Sequence, residues 1–253
     1  MSTTETGGSD SSGDVTRSME LLWGTGGRPT RGPKPALTLD RITTAAVALA
    51  DAEGLAAVTM RRLSQELGTG TMSLYRYVPG KAELLALMLD RVQRPTEDPE
   101  PFTGTWRDAV EAYAHETLAQ YRAHPWLLQV NQARPVLGPS AVGNLEKVVS
   151  RIEPMGLDGP ELIGVMVMVE AYVTGAARSQ AQEIEAQRTT GLTDEAFWTA
   201  QQPFLEKAML SGDYPTVAGL SEDTFSPDFD HFGFGLRAIL DGLEALVAQR
   251  AKR

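Results

Sequence analysis

Cysteine is absent from these 253 residues, so neither a disulfide nor a thiolate metal site can hold the fold, a composition that suits a reducing compartment. Long apolar runs are absent as well. No stretch approaches the roughly 20 residues that span a bilayer, and the first thirty residues lack the charged start and apolar centre of a secretory signal. The expectation is a soluble, cytoplasmic chain without a membrane partner. Strand-like alternation is nearly missing, which points to an all-α fold. Catalytic signatures are missing too: there is no phosphate loop, nucleophile elbow or dinucleotide fingerprint, and the GTGG run at Gly24–Gly27 has no strand ahead of it. No enzyme and no cofactor are expected. What the chain does have is 42% apolar content, enough to bury a sizeable core in one or two domains without cross-links.

Net charge is −10, which by itself argues against a nucleic-acid binder. The charge is segregated, however. Residues 28–94 carry 10 Lys and Arg against 6 Asp and Glu, a net of +4, whereas 95–253 carry 12 against 23, a net of −11, and residues 1–27 carry 1 against 4. A mildly basic head on an acidic body would bind DNA through the head and be discouraged from non-specific sticking elsewhere.

The most informative stretch is TMRRLSQELGTGTMSLYRYVPGK, Thr59 to Lys81. Thr59 can cap a short helix whose Leu63 and Leu67 share a face, Gly68 stops it, and a second helix starts almost at once. Leu74 points back to Leu63 and Leu67, leaving Thr71, Met72, Ser73, Tyr75, Arg76 and Tyr77 around the start and outer side of that second helix. Short polar and aromatic groups there suit a DNA groove. Ser73, Leu74, Tyr75, Arg76, Tyr77, Val78 and Lys81, within SLYRYVPGKAELL, resemble the helix-turn-helix of the TetR (tetracycline repressor) family. That family's pattern is Thr or Ser, Leu-Tyr, a variable residue, an aromatic or His, Phe or Val, and a Lys three residues later. The likeness runs from about Leu39 to Leu89; beyond it the chain fits in length, helical pattern and its FGFGLRAILDGLEALV ending. It implies contacts to DNA from Thr59, Arg61, Thr71, Ser73, Tyr75, Tyr77 and Lys81. Hydroxyls and an ammonium suit phosphates, so Thr59, Tyr75, Tyr77 and Lys81 are assigned there, and Arg61, Thr71, Met72, Ser73 and Arg76 to base edges, with Arg76 equally able to grip phosphate.

Three segments follow. Residues 1–27, rich in Ser, Thr and Gly, are expected to form a disordered leader, with Met19–Trp23 either a helical turn packed on the body or a partner contact. Residues 28–94 form the DNA-binding head, preceded by a Pro/Gly-stiffened arm whose Arg28, Arg31 and Lys34 either reach a minor groove or stay solvated. Its bracing helix should run from a cap at Thr38 to near Glu53, with Ile42, Ala46, Val47, Leu49 and Ala50 inward and Gly54 closing it. A fourth helix carries Leu84, Leu85, Leu87, Met88 and Val92. Residues 95–253 form a larger helical bundle for ligand binding and dimerisation, with helices expected near 104–123, 125–133, 139–153, 159–188, 193–210 and 228–250.

In the last of these, Phe232, Leu236, Ile239, Leu243 and Leu246 recur at 4-3-4-3 spacing beside a stripe of Gly235, Ala238, Gly242 and Ala245. The 159–188 helix offers Val169, Tyr172, Val173 and Ala176, with Gly164 and Gly175 thinning it. Pairing both helices with their copies would make a four-helix homodimer interface, as the resemblance also implies. Large apolar and polar groups at Trp106, Tyr113, Tyr121, Trp126, Met166, Glu170, Tyr172 and Trp198 serve either as core or as the wall of a pocket for a small apolar or aromatic molecule, since this family takes inducers between bundle helices. Glu111 and His115, at i,i+4, read better as a solvated pair than as metal ligands. The whole is consistent with a regulator that represses from a palindromic operator until a small molecule is bound, nucleoid-associated while on DNA. A ligand-independent regulator, controlled by a protein partner or by abundance, would have the same head but a fully packed body, and a small-molecule binding protein or enzyme with a vestigial head would show no salt-dependent duplex binding.

Overall fold

The computed structural model describes residues 9–24, 37–94, 102–131, 134–221, 224, 226 and 228–252. All regular structure among them is helical. The head consists of α2 (Leu39–Glu53), α3 (Met60–Glu66) and α4 (Thr71–Tyr75), preceded by α1 (Ser9–Leu22) and followed by α5 (Lys81–Val92). The body consists of α6 (Trp106–Ala123), α7 (Pro139–Ile152), α8 (Gly159–Thr190), α9 (Asp194–Leu210), α10 (Pro215–Ala218) and α11 (His231–Arg250). The expected all-α fold is what the structure contains, and the helix limits follow local chemistry. Thr38 accepts a 3.1 Å bond from the Arg41 amide at the start of α2, Thr105 and Asp108 form a capping box on α6, and Asp158 and Glu161 form another on α8. Of the helix expected near 125–133, the described residues form only a short 3-10 turn at Pro125–Gln129; residues 132 and 133 lie outside the described residues.

In the head, Ile42, Ala46, Leu49, Leu63, Leu74 and Val78 are buried together. In the body, Ala109, Val110, Ala114, Leu118 and Tyr121 of α6 meet Leu162, Val165, Val169, Val173 and Ala177 of α8, and Leu236, Leu240 and Leu243 of α11 close the third side. Four residues of the expected dimer interface are thereby turned inward. Val169, Val173, Leu236 and Leu243 lie in the subunit's own core, Tyr172, Ala176, Phe232 and Ile239 are half-buried beside them, and of that set Leu246 is exposed. A helix that must pack on its own bundle turns its most continuous large-residue stripe inward. Gly235 is also used internally: a Cβ there would run into the Tyr172 ring, whose hydroxyl donates 2.8 Å to the Phe232 carbonyl and whose face stacks on Phe232 at 5.5 Å. Among the small and apolar residues left outside are Ile163, Gly164, Val167, Met168, Ala171 and Gly175 in the first part of α8, and Phe234, Ala238, Gly242, Ala245 and Leu246 on α11. By length and composition α8 could cross a bilayer, but its inner face is taken by α6 and Glu170 stands about a third of the way along it, held by two tyrosines.

The expected leader is corrected. Residues 9–22 are helical, and α1 packs along α5. Ser18 is buried, Arg17 stands 3.6 Å from the Glu83 carboxylate, whose side chain is 4% exposed, and Trp23 donates its indole N–H to the Leu137 carbonyl at 3.1 Å. A polar composition does not prevent helix formation when a few such anchors supply the docking energy that an isolated helix lacks. The arm residues Arg28, Arg31 and Lys34 lie outside the described residues.

Head and body are joined directly. Asp51 of α2 accepts from the Trp126 indole N–H and bonds His124, both at 2.8 Å, and Gln120 donates 2.9 Å to the Val92 carbonyl at the end of α5. Trp126 is 1% exposed, so removing its acceptor strands a buried donor. Asp51→Ala is therefore expected to lower unfolding free energy by about 1–3 kcal/mol, measured by urea denaturation. Gln65→Ala, at an exposed position of α3, should stay within about 0.5 kcal/mol of the wild type in the same measurement.

Candidate nucleic-acid interface and ligand-facing body

The head presents a built surface. Thr59 caps α3, its hydroxyl oxygen accepting from the Arg62 amide at 3.1 Å. Gly68, at φ +62°, closes α3 in the left-handed region that only glycine enters freely, and the chain reverses through Thr69, whose amide returns to the Ser64 carbonyl at 3.0 Å. Ser64 and Thr71 share a 3.1 Å hydroxyl–hydroxyl bond, which pins the start of α4 to α3. Leu63, Leu74 and Val78 are fully buried and fix the rotation of α4 about its axis. The opposite side is then solvent-facing: Met72 is 77% and Tyr75 43% exposed, and Arg76, Lys81, Thr59 and Arg61 are exposed as well. Thr71, Ser73 and Tyr77 are half-buried, Tyr77 packed against the head core.

Arg62, one residue from Arg61, has a different role. Its guanidinium bonds Glu53 of α2 and Glu66 of α3, each at 2.8 Å, so its charge is spent on bracing the two helices, and Arg61 is the one turned outward. The i,i+4 spacing of Arg62 and Glu66 was a signal for this; the Glu53 contact depends on how α2 and α3 cross.

In the body, three of the expected pocket residues come together. Tyr113 and Tyr121 of α6 donate to the two oxygens of Glu170 on α8, at 2.8 and 2.9 Å, and Thr174 donates to the Tyr121 hydroxyl at 3.1 Å. Burial, and then the Glu170 charge, pushes the Tyr113 phenol well above the ordinary tyrosine range, so it stays a neutral donor. No Lys, Arg or His among the described residues pairs with Glu170. The other expected members lie elsewhere: Trp126 in the head–body joint, Tyr172 in the α8–α11 seam, Trp106 and Met166 half-buried against the core, and Trp198, 59% exposed, on α9. Aromatic size alone does not say which side of a helix a ring joins. Trp198 and Phe197 instead line an open cleft of about 280 Å³ between the far end of α8 and α9, with Glu183, Gln187, Leu192 and Asp194. Among the described residues no three His, Cys, Asp or Glu cluster for a metal. His115 sets its ring edge against Phe232 at 5.4 Å, and Glu116 pairs with Lys147 at 2.7 Å.

Comparison with known proteins matches residues 42–88 to the family described as "Bacterial regulatory proteins, tetR family" and residues 98–247 to "Tetracyclin repressor-like, C-terminal domain". The chain is 66% identical over 248 residues, 98% of its length and 91% of the relative's, to the HTH-type transcriptional repressor DrrR1 of Streptomyces coeruleorubidus. Among solved structures it is similar to the Streptomyces coelicolor TetR family protein ActR in complex with actinorhodin, with a TM-score of 0.68 and 33% identity over 85% of this chain and 99% of that one. Apo ActR gives 0.62 and 30% over 86% and 100%.

Because the folded Tyr113 binds its proton more tightly than the unfolded chain does, its contribution to stability is complete below pH about 10, the ordinary tyrosine value, and is lost as pH rises through the folded value. An alkaline titration followed by phenolate absorbance should therefore show a late-ionising tyrosine that disappears in Tyr113→Phe.

Proposed function

The chain belongs to the TetR family of transcriptional regulators, and from that premise we propose that it acts in the cytoplasm as a homodimeric repressor, releasing a palindromic operator when a small molecule occupies the body. The observation that supports this most directly is the two-sided α4, sealed by Leu74 on one side and open at Met72, Tyr75 and Arg76 on the other. A surface of that kind enters a major groove. In this reading Thr59, Tyr75, Tyr77 and Lys81 hold phosphates, while Arg61, Thr71, Met72, Ser73 and Arg76 meet base edges. Thr59 and Thr71 do so while also serving as a cap and an α3–α4 link, since a hydroxyl can donate outward while accepting within.

One reading helix makes too few base contacts for a useful operator affinity, so two must act about 34–36 Å apart, one duplex turn. The second copy would cover the outer faces of α8 and α11, where Val167 is 62% and Phe234 58% exposed. Gly164, Gly175, Ala238, Gly242 and Ala245 would let the helix axes come close. Apolar surface of this extent on neighbouring helices is costly to leave in water and marks an interaction site.

For the ligand, the Glu170 carboxylate with its two phenols supplies the polar part of a site between α6 and α8, and apolar neighbours supply the rest. The DrrR1 relative is named a repressor and ActR is a ligand-bound relative, which is the basis for expecting repression relieved by a small molecule. Release then requires the ligand to prefer the arrangement that does not fit DNA, a coupling of about 1–3 kcal/mol in such systems.

The deciding experiment is selection of duplexes from random DNA by the purified protein, followed by fluorescence anisotropy at several salt concentrations; binding without sequence preference or salt dependence would reject the reading. Arg76→Ala should relax preference at one operator position at about 1–3 kcal/mol if it reads a base, and weaken all duplexes alike if it holds phosphate. Val167→Glu and Phe234→Glu should leave the subunit folded yet shift sedimentation from dimer to monomer.

A further inference from the structure

The reading head and the body meet at a joint made of three elements. Asp90, near the end of α5, is 7% exposed, and its Oδ1 accepts from the amides of Ser140 at 2.9 Å and Ala141 at 3.1 Å. Those are first-turn amides of α7, and α7 has no capping side chain of its own: its N-cap is Gly138. A helix start leaves its first amides without partners and carries partial positive charge. The carboxylate that satisfies them comes from 50 residues earlier in the chain, on the helix that follows the DNA-reading turn. Asp90 pairs with no Lys, Arg or His among the described residues, so α7 is what holds its charge.

Gly138 is part of the same arrangement. Its φ of −83° is open to any residue, so backbone freedom is not the reason for glycine here. The reason is space: a Cβ would fall inside contact distance of the Asp90 carboxylate and 2.9 Å from Leu22 Cδ2 of α1. Leu22 belongs to the helix that grips α5 through Arg17 and Glu83 and reaches the neighbouring Leu137 carbonyl through Trp23. Thus α1, α5 and the start of α7 converge on one point, and α5 cannot slide or rotate against α7 without losing both amide bonds.

We propose that Asp90 is a positioning residue for DNA recognition, fixing the angle of the reading head to the body by capping α7, with Gly138 leaving it room and α1 backing the joint. The proposal rests on the DNA-binding reading above. It assigns to α1 and α7 a part in operator affinity although neither belongs to the α3–α4 reading turn.

The absence of cysteine makes the test direct. Gln65→Cys on α3 and Glu146→Cys on α7, both exposed, take spin labels, and the doubly labelled chain is diluted into excess unlabelled protein so that one head-to-body distance is read by pulsed electron resonance. Operator affinity and hydrogen exchange at the Ser140 and Ala141 amides are measured on the full chain alongside. The wild type should give one narrow distance. Asp90→Asn, which keeps the acceptor and loses the charge, should broaden it and weaken operator binding about threefold; Asp90→Ala and Gly138→Ala should broaden it further, weaken binding tenfold or more, and speed exchange at both amides. If the two alanine variants do not fold, Asp90→Asn decides alone. Folded variants with the wild-type distance and wild-type operator affinity overturn the proposal. A wild type that binds no selected duplex overturns the DNA-binding reading instead, and the distances then still report whether Asp90 holds the head in place.

Discussion

A helix of five residues has no stability of its own, because its nucleation cost is never repaid by so few hydrogen bonds. Everything the head can do depends on α4 being held from outside. Leu74, with Leu63 and Val78, is the contact that does so, and the Ser64–Thr71 hydroxyl bond and the left-handed Gly68 set the angle at which it is held. Because Leu74 is buried, Met72, Tyr75 and Arg76 must be outside. Burial on one side and exposure on the other are a single constraint seen from two faces, and substitution at the buried position would disturb every outward group at once.

The same economy applies to the charges. Arg62 is engaged by Glu53 and Glu66, while Arg61 and Arg76 are left outward on a head whose net charge is positive. In the body the acidic excess is spread over solvated helices, and Glu170, gripped on both oxygens, is satisfied by neutral phenols rather than by a cation. A carboxylate held that way remains a strong acceptor, which is why it is the centre of the proposed ligand site.

Much of the architecture was legible in the residues alone. The cap at Thr38, the cap at Thr59 and the stop at Gly68 stand where expected, and the long helices at 159–188 and 228–250 are observed at Gly159–Thr190 and His231–Arg250. Less legible was the inward or outward assignment of α8 and α11. Both helices are apolar on more than one side, so Val169 and Val173 could be read as readily toward a second copy as toward α6; the structure turns them to α6 and leaves Val167 and Met168 outside. The fate of Trp126 was likewise hidden, since its partner Asp51 lies 75 residues away. Residues 9–22 misled by composition, because Ser, Gly and Asp describe a weak helix in isolation and say nothing of the α5 surface waiting for it.

By itself, then, the order of amino acids settled what depends on neighbours within about four positions: where helices start and stop, their periodicity, and the identity of the reading turn. Caps, left-handed glycines and i,i+4 faces are decided by local sterics and hydrogen bonds, and these are the same in any fold. Tertiary structure alone decided which apolar face became core, which tyrosines found Glu170, and how Asp90 came to close α7. Those pairings join residues some 50 positions apart or more, and a contact of that span forms only where the packing of whole helices brings its two halves within a few ångströms.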